Sequence, residues 1–310
     1  MYRILLLLST LMLAQFYRAA VIPPELSHSD MKEKQDVIEG DIIVDNELKR
    51  IVDMAAEDRE NKHVRRRRDT IMYHQKRWKD AIVPYVIDPS VGRVTRRAIA
   101  LAFIEFHRST CLWFTPRKNE TDYIRIVKGE GCYSKVGRQG GEQLVSLGDG
   151  CAGRKNVLHE LMHAIGFFHE NSRYDRDSFV KVLWWNIIYG AEKNFLTYNH
   201  GIIDTLRMPY DIHSLMHYDN KAFTKNFGDT MQAKENPTES LGGKTFSKID
   251  LKQVYLLYKC KKPRYRVRKD RCKDRMKTGC FLFMAYPHLC NIHKHYTRSY
   301  CHRTCRVCEP

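Results

Sequence analysis

No cysteine occurs in the first 110 residues of this 310-residue chain, and beyond residue 20 no segment is apolar enough to cross a bilayer. The first absence excludes a disulfide framework for the N-terminal third; the second argues against a membrane-spanning helix after the first twenty residues. Acidic side chains are also scarce, 36 against 53 Lys and Arg, which leaves a net charge of +17. The deficit is local. Residues 261–310 hold 14 basic and 3 acidic side chains, whereas residues 21–60 hold 12 acidic and 5 basic ones.

The chain begins MYRILLLLSTLMLAQFYRAA: one Arg, an apolar stretch from Ile4 to Ala14 broken only by Ser9 and Thr10, then small residues. This pattern predicts a secretory signal peptide over residues 1–20, cut near Ala20, and a secreted, extracellular protein. All ten cysteines lie between Cys111 and Cys308, and in an exported chain an even number predicts disulfides. They divide into a spread set (Cys111, Cys132, Cys151, Cys260) and a crowded set of six from Cys272 to Cys308. A large core-driven domain followed by a small cystine-held module is expected. The acidic, cysteine-free residues 21–68 read as a removable prosegment. They end in Arg65-Arg66-Arg67-Arg68, an exposed cut site for a basic-specific processing protease. The basic C-terminal stretch suits an anionic matrix or cell-surface partner better than nucleic acid in an exported chain.

The run HELMHAIGFFHE (residues 159–170) carries the chemistry. His159 and His163 are four residues apart, so on a helix they lie about 40° apart on one face, where two imidazoles can grip one metal ion beside Glu160. His169 would sit about 9 Å further along if the helix continued. Gly166 removes that difficulty, because glycine enters the left-handed conformation that ends helices and lets the chain turn back. Three protein ligands and an open position make a catalytic zinc arrangement, one ion per domain.

These residues, with GCYSKVGRQGGEQLVSLGDGC (131–151), NSRYDRD (171–177) and SLMHY (214–218), resemble the astacin-family zinc metalloproteases of the metzincin group over residues 69–261. The resemblance implies an α+β fold: a two-lobed protease domain with a mixed twisted sheet and an active-site helix. It implies zinc ligands His159, His163 and His169, a general base Glu160, a Met-turn at Met216, and a Tyr218 hydroxyl that supports the reacting carbonyl. It pairs Cys111 with Cys260 and Cys132 with Cys151. It makes Glu142–Leu147 the edge strand above the cleft, with Leu144, Val145 and Ser146 binding substrate through backbone pairing. Ile38-Glu39-Gly40-Asp41 is similar to the family's latency motif, with Asp41 as the zinc ligand of the zymogen. Cleavage after Arg68 would start the mature chain at Asp69, nine residues before Trp78, its amino group salt-linked to Glu170. Lys244, in Leu241-Gly242-Gly243-Lys244-Thr245-Phe246, aligns with a selector for acidic residues after the scissile bond. Asn119-Glu120-Thr121 is an N-glycosylation acceptor.

The last cysteines resemble an ShK-like (ShKT) module over residues 272–308, joined by a basic linker at 262–271. That resemblance implies the pairs Cys272–Cys308, Cys280–Cys301 and Cys290–Cys305 and a small, disulfide-rich helical fold. The toxins' channel-blocking Lys-Tyr pair falls on His295-Tyr296, with Lys294 one place early, so docking or targeting is expected instead. Together these readings give a secreted zinc endopeptidase made as a zymogen, acting on extracellular proteins or peptides. The alternative is a secreted binding protein working through its basic module with an inert protease domain. Inert relatives lose the base or a ligand, and this chain keeps all four.

Overall fold

Ile82–Ile87 (β3), Trp113–Pro116 (β4), Tyr123–Val127 (β5) and Glu142–Leu147 (β7) are short runs rich in β-branched and aromatic residues, and they lie side by side in one sheet. β3 pairs in parallel with β4 and β5, and β5 pairs in parallel with β7. Cys132–Ser134 (β6) runs antiparallel to β7. Two strands from the N-terminal segment, Val37–Ile38 (β1) and Ile42–Ile43 (β2), complete a seven-stranded mixed sheet in the order β1-β2-β6-β7-β5-β3-β4. The computed structural model describes residues 37–44, 48–50, 76–198, 203–260, 277–287, 289–292, 301, 304 and 305. The expected signal peptide, Arg65–Arg68, Asp69, residues 262–271, Cys272, Lys294, His295, Tyr296 and Cys308 lie outside these residues.

Helix α1 (Arg93–Ser109) turns Ala98, Ile99, Ala102, Phe103 and Phe106 inward at helical spacing, and all five are buried. Burying a phenylalanine side chain contributes about 1.5–3 kcal/mol. Phe103 stacks on Phe114 of β4, with ring centroids 4.6 Å apart, so the helix is locked to the sheet. Helix α2 (Arg154–Ala164) packs in the same core through Val157, Leu158, Leu161 and Met162.

A second cluster of buried apolar residues comprises Val180, Ile187, Phe195, Tyr210, Tyr218 and Met231 among others. Its strands are Val180–Val182 (β8) and Met231–Ala233 (β9), which pair antiparallel. The mixed sheet and the helix bearing the histidines agree with the fold that the resemblance implies. Helix α3 (Lys248–Leu257) belongs to the first core and fixes a turn from one residue: Asp250 closes a capping box with Ser247 and also accepts from Ser214 Oγ (2.6 Å) and Leu215 N (2.9 Å). The turn bearing Met216 is thereby fixed to a helix start, and both ends of the contact are buried.

Cys111–Cys260 and Cys132–Cys151 are disulfides. The first closes a separation of 149 residues, which the chain-entropy model converts to about 4–5 kcal/mol. Cys280–Cys301 and Cys290–Cys305 are also bonded. They hold helices α4 (Lys277–Ala285) and α5 (Leu289–Ile292) around a small core of Cys280, Phe283 and Cys301. This C-terminal part sits against the protease sheet: buried Tyr85 donates its hydroxyl to Met284 O (2.9 Å), and Arg96 donates to Ala285 O (3.0 Å).

One expectation is corrected by the sheet order. β7 is not an edge strand; it lies between β5 and β6, and Val145 and Ser146 are fully buried. Strand composition reports burial on two faces but not which neighbours pair, so the strand was legible and its place was not. Beyond β7 lies β6, and β2 is paired to it in parallel through Ile42 and Ser134. Among the described residues no helix is long and apolar enough to cross a membrane.

Candidate metal centre

Helix α2 stops where the sequence requires it. Gly166 takes φ +114°, a left-handed conformation that side chains disfavour, and Phe167 N–H reaches back to Met162 O at 3.1 Å. The returning chain brings His169 Nε2 to 3.0 Å from His159 Nε2, while His163 Nε2 lies 3.2 Å from the same atom. Asp41 closes the group: its carboxylate is 3.1 Å from His159, 3.3 Å from His169 and 3.5 Å from His163.

Each imidazole is held from behind. His159 Nδ1 donates to Leu215 O (3.1 Å), His163 Nδ1 to Phe167 O (2.7 Å), and His169 Nδ1 to Glu39 Oε2 (2.5 Å). With those protons on Nδ1, three neutral rings direct Nε2 lone pairs at one another and at a carboxylate. Such a cluster repels itself unless a cation sits inside. A zinc ion with bonds of about 2.0–2.1 Å in tetrahedral geometry separates its ligand atoms by about 3.3–3.4 Å, close to the spacing found here. Three imidazoles and one carboxylate are also a donor set that zinc accepts. The residues present fit the ion.

The electrostatics agree. Burial alone would raise the Asp41 carboxyl, but His169, His163 and His159 overcome it and hold the group well below the usual carboxylate range. Burial would lower His169, yet Asp41 and Glu39 push it up to about 10. The pocket demands positive charge, from a proton or from a metal.

Glu160, on the same helix, is 1% exposed, and its Oε2 has no hydrogen-bond partner. Burial, reinforced by the Asp41 charge, holds its carboxyl well above the ordinary range. A buried carboxyl without a partner is unfavourable for folding, and such groups mark functional sites. Tyr218 is buried beside His169, ring centroids 4.8 Å apart, and donates its hydroxyl to Glu39 O. Met216 is buried, and its carbonyl accepts from Glu170 N at 2.9 Å.

The N-terminal segment is shaped for this contact. β1 and β2 form a hairpin, Val37 facing Ile43 and Ile38 facing Ile42, whose connecting turn is Glu39-Gly40-Asp41. Gly40 takes φ +81°, and a Cβ there would meet Phe223 Cζ at 2.5 Å, so only glycine passes. Ile42 and Leu48 bury into a third apolar cluster with Val136, Phe168, Tyr198 and Ile203, and Ile38 and Val44 pack on its edge. Asp41 O accepts from Ser134 N at 2.9 Å, which fixes the turn against β6.

Other sequence candidates are placed differently. Glu170 is buried and pairs with Arg173 (2.9 Å) and Asp211 N (3.0 Å); burial pushes its carboxyl up to about 7, against the pull of Arg173. A pocket opens beside it, lined by Gly166, Phe168, Arg173, Ile203 and Leu257 among others. Lys244 is exposed rather than half-buried. Its neighbours Gly242 and Gly243 are pinned to the Met216 turn through Ile212 O and Ser214 O, both at 2.8 Å. Asn119 is exposed in the β4–β5 loop. Sequence reasoning missed Glu39, whose carboxylate touches a ligand histidine, and Asp250, which carries the turn beneath it.

A model of the astacin family (peptidase family M12A) matches residues 70–259. The zinc metalloproteinase nas-4 of Caenorhabditis elegans is 42% identical over 196 residues, 62% of this chain and 62% of the relative. The nas-13 zinc metalloproteinase of the same organism is 44% identical over 185 residues, 59% of this chain and 41% of the relative. The match thus spans between 41% and 62% of these relatives' length. Among solved structures, high choriolytic enzyme 1, a hatching enzyme zinc-protease from the medaka Oryzias latipes, superimposes with a TM-score of 0.56 at 36% identity. That match covers 60% of this chain and 94% of the medaka chain.

Proposed function

The chain belongs to the astacin family, and on that basis we propose that it is a secreted zinc endopeptidase made as a zymogen, with residues 21–68 as its inhibitory prosegment. One observation carries the reading: three histidine Nε2 atoms converge with Asp41 at tetrahedral spacing, next to a buried Glu160 whose Oε2 has no hydrogen-bond partner.

His159, His163 and His169 would hold the ion, and Asp41 would occupy its fourth position in the precursor. Bound there, zinc supplies Lewis acidity, activating a water near neutral pH and polarising the scissile carbonyl. The protein does the rest. Glu160 takes the proton of the attacking water and delivers it to the leaving amine. Burial raises its carboxyl above the ordinary range, which favours a group that can hold the proton between the two transfers. Tyr218, released from Glu39 O when the prosegment leaves, is free to donate to the developing oxyanion. Departure of β2 also exposes the edge of β6, where the backbone of a substrate peptide can pair as an added strand; this role passes from Leu144, Val145 and Ser146 to Cys132–Ser134.

Processing after Arg68 would free the amino group of Asp69, and the pocket beside Glu170 is the place for it. Treating the purified precursor with a basic-specific protease should release peptide-cleaving activity, and the active chain should start at residue 69. No released activity, or an active chain starting elsewhere, would contradict the reading.

The exposed Lys244 remains the proposed selector for acidic residues after the cut. A charge-assisted hydrogen bond from it contributes about 1.5–3 kcal/mol, or about tenfold to a hundredfold in preference. A peptide library should show acidic enrichment at that position in the wild type and lose it in Lys244→Ala; enrichment unchanged by the substitution would remove Lys244 from the role. We assign the C-terminal cystine part as an ShKT-like module, its basic stretch directed to an anionic matrix or cell surface, and Asn119 as a glycan acceptor.

A further inference from the structure

The prosegment touches the metal centre twice. Asp41 meets the Nε2 side of the histidines, and Glu39 meets the opposite side of His169. Glu39 is 1% exposed. Its Oε2 accepts from His169 Nδ1 at 2.5 Å and from His169 N at 3.4 Å, while its Oε1 has no hydrogen-bond partner. The residue is held in the left-handed region, φ 53°, and its carbonyl accepts from Tyr218. A non-glycine residue is kept in that conformation only where surrounding contacts determine it. The other two imidazoles have backbone carbonyls, from Leu215 and Phe167, behind them. His169 is thus alone among the three in having a carboxylate there, and that carboxylate belongs to the segment that processing removes.

A carboxylate accepting from the outer nitrogen of a metal-bound imidazole fixes the ring and makes the inner nitrogen a stronger donor. We propose that Glu39 is a metal-retention residue of the precursor: its carboxylate, hydrogen-bonded to His169 Nδ1, strengthens the hold of His169 on zinc until the prosegment departs. The inference rests on the reading of residues 37–44 as a bound prosegment and extends it from blocking the site to tightening it. The precursor then carries its ion more securely than the processed enzyme, with Asp41 supplying a ligand and Glu39 supporting one.

The test is zinc retention rather than activity. Full-length precursor loaded with zinc is titrated with a chromogenic chelator as wild type, Glu39→Gln and Asp41→Ala, and deuterium uptake of residues 37–44 is followed in parallel. Gln keeps the size of the side chain and an acceptor atom but loses the charge. Glu39→Gln should give up zinc at about tenfold lower chelator, the lower end of the range for outer partners of metal ligands, with uptake at 37–44 unchanged. Asp41→Ala, which lacks a ligand, should also release it earlier. Retention in Glu39→Gln equal to wild type while Asp41→Ala is weakened would overturn the role of Glu39 alone. So would a weakening that appears only with loss of protection at 37–44. Retention unchanged in both variants would overturn the bound-prosegment reading itself.

Discussion

Glu160→Ala in the processed protein should lower peptide hydrolysis by about 10²–10⁴-fold, the range over which a positioned acid–base group acts, with zinc still bound. The residue lies between two ligand positions on α2 but is not itself part of the four-atom cluster. Its Oε2 makes no hydrogen bond, so alanine breaks none there. The same substitution should leave thermal stability unchanged or raise it, since a buried carboxyl without a partner opposes folding. Activity, zinc content and melting temperature measured on one preparation check all three. A variant that keeps more than a few per cent of the wild-type rate with zinc bound would show that Glu160 is not the base. A large drop in melting temperature would show that it is structural.

Asp41→Ala in the unprocessed precursor should release activity without cleavage at the arginines. The carboxylate is the only group of the hairpin within reach of all three ligand nitrogens. Truncating one partner of a buried, hydrogen-bonded charged contact costs about 2–5 kcal/mol, which raises the open fraction by about thirtyfold to several thousandfold. The apolar anchors Ile42 and Leu48 remain, so the hairpin should still visit the cleft and the leak should stay below full activity. A precursor as silent as wild type would mean that the cluster is blocked by bulk rather than by a ligand.

The metal centre was legible because its spacing obeys helix geometry: His159 and His163 share one face, and a glycine at residue 166 is what brings His169 back. Met216 and Tyr218 were not legible by physics, since a buried methionine and tyrosine are ordinary core residues; only the resemblance singled them out. The strand at 142–147 was legible from its composition, but its neighbours depend on contacts distant in sequence, and β7 proved to be interior. Glu39 stood inside the latency motif without a role of its own. Its burial comes from the hairpin folding onto the cluster, which no local pattern encodes. Lys244 sat in a stretch that aligned with a pocket wall, yet the glycines before it bond to the Met216 turn and leave the lysine in solvent.

The central claim is that these histidines hold a catalytic zinc ion, and metal titration of the processed protein tests it most directly. Zinc stoichiometry and peptide cleavage are measured together as a chelator strips the ion and as zinc is returned. The account predicts one zinc per chain, cleavage that falls in step with its removal, and recovery when it is restored. Cleavage that persists in zinc-free protein, or a His163→Ala variant that binds zinc and cleaves as the wild type does, would contradict it.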